Sequence, residues 1–391
     1  MKAGRDKSLR RRHPWVFSGA VERIEGEPKA GATVCVLSHS GEFIAHAAYS
    51  PQSQIRLRVW SFDENAVIDA AFFEQRLTLA IDARRSLGVL DEEGACRVVF
   101  AEADGLPGLV VDRYGSYLVC QFLSAGIEPW REAVIGGLAT LLRPLGIYER
   151  SESSARRKEG LPSSRGLLYG SAPPPRLELN TDGLRQTVDI VQGQKTGAYL
   201  DQRDNRRRVT HYANGARVLD AYAYAGGFAL MCLARGAVEA TLVDSSAGAL
   251  RTAEEQAALN GLGDRCRFVV ADVPTELRRL KNAGERFDLV VLDPPKFVHT
   301  IEQLQAGSRG YKDVNRLGLE LLRPGGVLAT FSCSGHVDAA LFQKIVAGAA
   351  VDAGRDAQIV ERLSQPPDHP VALHFPEGEY LKGLILRVLP L

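Results

Sequence analysis

Four apolar runs in the second half of the chain each end on an aspartate, and that recurrence limits the fold more than any other feature. They are ARVLDAYA (216–223), ATLVDSS (240–246), CRFVVADV (266–273) and FDLVVLDPP (287–295). A short run that stays apolar at every position reads as a strand covered on both faces, which is the signature of a parallel sheet sandwiched by helices. Asp220, Asp244, Asp272 and Asp293 then stand at the carboxyl ends of four strands. In open α/β sheets that edge is where ligands bind. A fifth run, GGVLATFSC (325–333), repeats the pattern and ends on Ser332-Cys333-Ser334-Gly335. AQIVERL (357–363) and GLILRVL (383–389) follow, separated by a long loop through Pro366, Pro367 and Pro370, and read as a terminal antiparallel pair. Alternation of these strands with helical stretches predicts a doubly wound α/β domain of seven strands, the class I (Rossmann-like) methyltransferase layout.

The edge also predicts the ligand. After Asp220 the turn Ala225-Gly226-Gly227 leads into a helix, and small residues there would let a ligand approach the backbone. The turn lacks G-x-G-x-x-G, so it does not read as a pyrophosphate cradle. Four carboxylates along one crevice suit a cationic sulfonium and oppose a polyphosphate. S-adenosylmethionine is therefore the expected cofactor, held by Asp220, Gly226, Asp244, Ser245, Asp272, Val273 and Asp293. A single aspartate after a strand is as well explained as a turn former or helix N-cap; four in register carry more weight.

The first half reads differently. At 391 residues the chain is long enough for two or three domains. Residues 1–13 carry Lys2, Arg5, Lys7, Arg10, Arg11 and Arg12 against Asp6, a basic arm suited to phosphate or simply to solvent. Residues 13–62 alternate short strands with Gly, Pro and Ser turns, the pattern of a small β-barrel in which Trp15 and Phe17 read as core. A helix is expected over 66–88, a hairpin around Gly105–Gly108, and a second helix near Trp130 to Leu142. The stretches SESSARRKEGLPSSRG (151–166) and SAPPPR (171–176) read as exposed loops, with Arg156, Arg157 and Lys158 as further basic residues. These breaks predict a β-barrel over 1–66, an α+β domain over 67–184 and the methyltransferase-like domain over 185–391.

Bulk properties narrow the surroundings. Net charge is +1, so contact with nucleic acid must come from local clusters rather than a global field. The six cysteines have no C-x-x-C pair and no histidine at ligand spacing, which argues against zinc and for a reducing compartment. The amino terminus has no apolar signal core, and no stretch approaches the about 20 apolar residues of a membrane span. A cytoplasmic protein without membrane contact is expected.

Several motifs together resemble one family closely and over most of the chain. They are the barrel opening on His13-Pro14-Trp15, QKTGAYLDQR (194–203), DAYAYAGGFAL (220–230), VDSS (243–246), DPPKF (293–297) and FSCSG (331–335). The chain resembles the bacterial ribosomal RNA large subunit methyltransferase I family, which forms 5-methylcytosine in 23S ribosomal RNA and opens with a PUA domain. The resemblance implies that Asp244, Asp272 and Asp293 border the cofactor, that Tyr199, Asp201 and Arg203 lie against its methionyl end, and that Cys333 is the nucleophile. It also implies a homodimer, and an RNA surface for which Arg10, Arg11, Arg12, His13, Lys195, Lys296 and Phe297 are the candidates.

The chemistry fits those residues. Carbon 5 of cytosine is too weak a nucleophile to take a methyl group until a thiolate adds to carbon 6 and the charge that develops is stabilised at nitrogen 3. Cys333 suits the first task and Asp293 the second, with Lys296 and the turn amides lowering the thiol pKa and Phe297 or Tyr222 receiving the unstacked base. One departure stands out: many RNA cytosine-5 methyltransferases carry a second cysteine after the proline of the Asp-x-Pro turn, where this chain has Pro295 and Lys296. Two other readings remain open from sequence. Asp-Pro-Pro followed by an aromatic also serves exocyclic amine methylation, which needs no thiol, and an assembly factor could keep the RNA-binding barrel without catalysis.

Overall fold

The structure, a computed structural model, describes residues 1–90, 92–193 and 195–389. Gln194, the first residue of the QKTGAYLDQR motif, lies outside them. The described residues fall into two units, neither of them continuous in sequence. The first comprises Met1–Thr181, Val188–Leu200 and Pro367–Gly378; the second comprises Asp182–Thr187, Asp201–Pro366 and Glu379–Leu391. The boundary read at 184–185 lies inside Asp182–Thr187, a short segment of the second unit between two segments of the first. Among the described residues no helix is long and apolar enough to cross a membrane.

The first unit opens with a four-stranded antiparallel sheet, in the order Trp15–Phe17, Ile55–Ser61, Phe43–Tyr49, Thr33–Leu37. Leu9, Val16, Val36, Ile44, Leu57 and Val59 bury one face of it. Phe17 is 53% exposed and so is not the core residue the alternation predicted. The basic arm is not a solvated tail: Leu9 is buried, and the Met1 amino group donates to the Leu37 carbonyl at 2.9 Å. A second sheet of five strands runs Ala95–Phe100, Leu109–Tyr114, Tyr117–Phe122, Gly146–Ser151, Ser164–Gly170 in chain order. Its one parallel step joins the third and fourth strands, where the helix Arg131–Leu142 crosses over. The expected helix over 66–88 runs Ala70–Ser86, because the Asp69 carboxylate caps the Phe72 amide at 3.0 Å.

The stretch 151–166 departs from its expectation of exposed loops. It holds the short helix Ser154–Lys158 and enters the last strand of the five-stranded sheet. The reason is Arg156, which is buried, donates to the Phe122 carbonyl at 2.6 Å and pairs with Glu128. Polar composition mimicked a loop because the guanidinium takes its partners from inside the fold.

The second unit is built on the seven-stranded sheet. In chain order its strands are β1 (Arg217–Ala221), β2 (Glu239–Asp244), β3 (Cys266–Val270), β4 (Phe287–Leu292), β5 (Leu322–Ser332), β6 (Ala357–Ser364) and β7 (Lys382–Val388). Spatially they run β3-β2-β1-β4-β5-β7-β6. β1 to β5 pair in parallel, and β7 lies antiparallel between β5 and β6. The helices α1 (Arg203–Val209), α2 (Gly227–Ala234) and α3 (Ala247–Leu259) contribute to one core, into which Leu289 and Val291 of β4 and Ala329 and Phe331 of β5 point. The helices α4 (Val273–Asn282), α5 (Leu304–Leu321) and α6 (Ala339–Asp352) contribute to the other, together with Val290, Leu292 and Leu328. This is the period-two alternation of strands buried on both sides. It is the class I methyltransferase arrangement that the sequence predicted.

In the first unit, the motif segment after Gln194 is held by a buried polar network. Asp112, 0% exposed, accepts both Nε and Nη2 of Arg97, at 2.8 and 2.9 Å, and the Thr196 hydroxyl at 2.6 Å. Thr196 also meets the Tyr114 hydroxyl at 2.9 Å, and that hydroxyl accepts the Ala198 amide at 3.1 Å. Removing one partner strands a buried charge, which costs about 3–5 kcal/mol. Asp112→Ala is therefore expected to lose about that much unfolding free energy in a urea titration of the full chain, and Thr196→Val about 1 kcal/mol.

Candidate active site at the carboxyl edge of the seven-stranded sheet

The four aspartates occupy one edge of the sheet, but they are not equivalent there. Asp220, the penultimate residue of β1, is 0% exposed. Its Oδ2 accepts the Ala229 amide at 3.0 Å in the first turn of α2, and its Oδ1 is buried without a hydrogen-bond partner among the described residues. Burial pushes this carboxyl up to about 7; Asp293 and Asp244 push the same way, and the Ala229 amide and Arg206 oppose them. Asp244 ends β2 and bridges two turns, accepting the Tyr224 amide at 2.9 Å and the Ser246 amide at 2.8 Å. Asp272 is the N-cap of α4: its Oδ2 accepts the Thr275 amide at 3.1 Å and hydroxyl at 2.6 Å, which holds the carboxyl below the usual range. Asp293 directly follows β4, and its amide approaches the Ala221 carbonyl at 3.4 Å, so the loops after β4 and β1 meet.

Arg206, which the sequence reading missed, lies among these carboxylates. Its guanidinium packs where a side chain on Gly227 would stand, with Nε 2.7 Å from an ideal Cβ there, and sits 5.8 Å from the Phe228 ring centroid. Burial lowers its pKa, while Asp201, Asp293, Asp220 and Asp182 raise it. The edge is therefore less acidic than four aspartates suggested, because one guanidinium stands in their midst and one carboxyl is half-neutral near pH 7. Gly226 takes a left-handed φ of 76° at the start of α2, and a Cβ would stand 2.9 Å from Leu242 Cδ2. Backbone conformation and packing against Leu242 both favour a glycine there.

The remaining cofactor candidates separate. Ser245 is exposed at the tip of β2, whereas the Val273 side chain belongs to the core beneath α4 and can offer only its backbone. Asp201 and Arg203 are buried in the second unit, where Asp201 accepts the Tyr380 hydroxyl at 2.9 Å and Arg203 Nε meets Asp204 at 3.1 Å. Tyr199 belongs to the first unit, with the Lys195 ammonium 4.2 Å from its ring centroid. The motif 199–203 thus passes from the first unit to the second between Leu200 and Asp201.

Cys333 follows β5 directly, half-buried against the core that receives Leu289, Val291, Ala329 and Phe331. β4 and β5 pair in parallel with Leu292 opposite Thr330. Asp293 continues the alternation of Leu289 and Val291, and Cys333 that of Ala329 and Phe331. Phe331 packs on Phe228 at 5.4 Å between centroids, and Phe228 lies beneath Arg206, which senses Asp293. The carboxylate and the thiol thus leave adjacent strands toward one face.

Hydroxyl groups tie the two strand tips together. Ser334 Oγ accepts the Val298 amide at 3.2 Å and meets the Tyr311 hydroxyl of α5 at 2.9 Å, and that hydroxyl approaches the Phe297 amide at 3.5 Å. Phe297 lies 4.7 Å from the Tyr311 ring at a tilt of 47° and meets Tyr222 edge-on at 6.4 Å. Burial raises the pKa of both tyrosines. Lys296 is half-buried beside this aromatic group. A second cation absent from the sequence reading is Lys382, the first residue of β7, buried and donating to the Ser334 carbonyl at 2.7 Å.

The RNA candidates of the amino-terminal arm are partly committed within the first unit. Arg10 pairs with Asp6 and Glu42, both at 2.7 Å, Arg12 stacks 4.9 Å from the Phe62 ring, and His13 lies 3.2 Å from Glu377. Arg11 is exposed.

The residues at the edge fit a cationic nucleoside cofactor. They supply acceptor oxygens on Asp244, Asp272 and Asp293 and, among the described residues, a buried oxygen on Asp220 with no hydrogen-bond partner. Fold and site together define a class I S-adenosylmethionine-dependent methyltransferase. Residues 162–387 match the S-adenosylmethionine-dependent methyltransferase family, and residues 1–62 match the PUA-like domain. The chain is 49% identical over 387 residues to a ribosomal RNA large subunit methyltransferase I of Klebsiella pneumoniae, covering 99% of this chain and 97% of that one. It is 49% identical over 391 residues to the protein of that name from Shewanella amazonensis, covering 99% and 98%. On this evidence of likeness the chain belongs to the ribosomal RNA large subunit methyltransferase I family. The fold also matches a solved S-adenosylmethionine-dependent methyltransferase from Streptococcus mutans, at 21% identity and a TM-score of 0.84 over 98% of each chain. A methyltransferase solved in complex with SAH gives 0.85 at the same identity and coverage.

The raised carboxyl of Asp220 sets a pH dependence. Its folded pKa of about 7 lies above the ordinary carboxylate value. Its contribution is therefore fully present below about pH 4, is lost as pH rises, and levels off above about 7. Relative to Asp220→Asn, the wild-type chain is expected to lose unfolding free energy between pH 4 and 7 and then run parallel to the variant, as read from denaturant titrations at a series of pH values.

Proposed function

We propose that this chain methylates carbon 5 of a cytosine in 23S ribosomal RNA through a covalent adduct with Cys333. Membership of the ribosomal RNA large subunit methyltransferase I family supports the RNA substrate. What supports the cytosine reading is that Asp293 and Cys333 each follow one of two strands paired in parallel, with Leu292 opposite Thr330. An enzyme for exocyclic amines has no use for a sulfur there.

In the proposed reaction the Cys333 sulfur pair forms a bond to carbon 6, and the electrons of the 5,6 double bond shift toward nitrogen 3. Asp293 stabilises the charge there by a hydrogen bond or a proton. S-adenosylmethionine, when bound, supplies the electrophilic methyl group that carbon 5 takes up. Loss of the carbon 5 proton then restores the double bond, and the sulfur–carbon 6 bond breaks with its electron pair returning to sulfur. Asp220, Asp244, Asp272 and Asp293 line the edge where the cofactor would be held, and the Ser334–Tyr311 contact keeps the two reacting loops in register. The target base must leave its stack, at a cost of a few kcal/mol, and Phe297 with Tyr222 offers an aromatic surface to receive it.

Cys333→Ala is expected to lower methyl transfer to unmodified large-subunit RNA by at least about 10³-fold, since nucleophile removal costs rates of that order or more. Wild type should form a denaturation-resistant complex with RNA carrying 5-fluorocytosine at the target, and Cys333→Ala should not. Full methyl transfer by Cys333→Ala would reject the mechanism, and a product without 5-methylcytosine would reject the substrate.

A further inference from the structure

The proposed mechanism needs a thiolate at Cys333, yet an ordinary thiol with a pKa near about 8.5 is mostly protonated at neutral pH. The sequence offered only Lys296 and turn amides to lower it. Lys382 is placed differently. It stands opposite Ser332 in the antiparallel pairing of β5 with β7, one residue before Cys333. Its Nζ reaches past the end of β5 to the Ser334 carbonyl at 2.7 Å, one residue after Cys333, and donates to its near neighbour Tyr380 at the carbonyl, 2.9 Å away. The lysine therefore brackets Cys333 from both sides in sequence, and its ammonium is fixed at two points.

The hydrogen-bond inventory of that amine leaves one place open. A neutral amine has two N–H donors, which the two carbonyls satisfy, and one lone pair; an ammonium has a third N–H. Among the described residues no further oxygen or nitrogen acceptor takes it. Burial lowers the pKa of Lys382, and the neighbouring Cys333 raises it, so the two groups sense one another's protons. The other ionisable groups around the pair are Glu379 just before β7, Asp338 at the start of α6, Lys296 after β4 and Tyr311 on α5. Glu379 and Asp338 favour the ammonium, and Lys296 opposes it.

We propose that Lys382 is the positioning residue that readies Cys333, accepting the thiol proton at Nζ and holding the thiolate for attack. This rests on the reading of Cys333 as nucleophile given above. The Sγ–H bond breaks, the proton passes to the amine lone pair, and the sulfur pair becomes free to bond carbon 6. When the adduct collapses the sulfur pair returns, and the same proton can move back. No external oxidant or reductant is required.

The test reads the thiol directly. The full chain and its Lys382→Met variant are alkylated with iodoacetamide across pH 5 to 10, and modification of the Cys333 peptide is followed by mass spectrometry, which keeps the exposed Cys35 separate. Lys382→Met is expected to move the Cys333 midpoint up by at least about one pH unit, a tenfold loss of thiolate below the midpoint. Lys382→Gln keeps an N–H donor and removes the charge, so it decides the matter should the Met variant fail to fold. A midpoint unmoved in the folded neutral variants overturns the proposal. The two readings fail separately: methyl transfer by Cys333→Ala would remove the nucleophile without altering the alkylation result, and an unmoved midpoint with an inactive Cys333→Ala would remove only the lysine.

Discussion

The site depends on the parallel pairing of β4 with β5. Both strands are buried on both faces, so a slip of one residue would turn Leu289, Val291, Ala329 and Phe331 out of one core and into the other. That penalty sets the register, and the register in turn decides that Asp293 and Cys333 emerge toward the same face. Neither chemical group has to hold its own position. The apolar residues behind them do so, and the Ser334–Tyr311–Phe297 contacts join the two loops at the tips. Phe331 is central because it packs on Phe228 and lies one alternation behind Cys333.

Most of the polar groups at this edge serve structure and ligand at once. Asp244 holds the turns after β1 and β2 together, Asp272 starts α4, and Asp220 anchors the first turn of α2. A carboxylate accepts up to four hydrogen bonds, so one or two backbone amides leave capacity for a bound molecule. The cost of gathering acids in one place is met by Arg206 and by the upward shift of Asp220. Like charges crowded in a poorly solvated site otherwise resist joint ionisation.

The strands and their Asp ends were readable from sequence because burial on both faces writes an unbroken apolar run, a local signal. The terminal antiparallel pair was readable in the same way, but that β7 rather than β6 lies beside β5 is seen only in the sheet itself. Lys382 was not readable: it lies far along the chain from Cys333 in an ordinary strand, and only the antiparallel insertion of β7 beside β5 brings it near. Arg206 was hidden in a run of three arginines, of which Arg207 and Arg208 are exposed. Arg156 misled in the opposite sense, since its charge suggested solvent while its partners are internal carbonyl and carboxylate oxygens. Periodicity reports which face is apolar; it does not report where a buried cation finds its acceptors.

The path of the backbone between the two units carries a consequence for how such an enzyme can change. The chain passes from one to the other at 181–182, 187–188, 200–201, 366–367 and 378–379. No single cut separates them, and a gene fusion cannot transplant the whole methyltransferase sheet, from β1 to β7, without also carrying the strap 367–378 that belongs to its companion. The two units are interleaved along the gene, so exchanging either one whole would need several simultaneous crossovers.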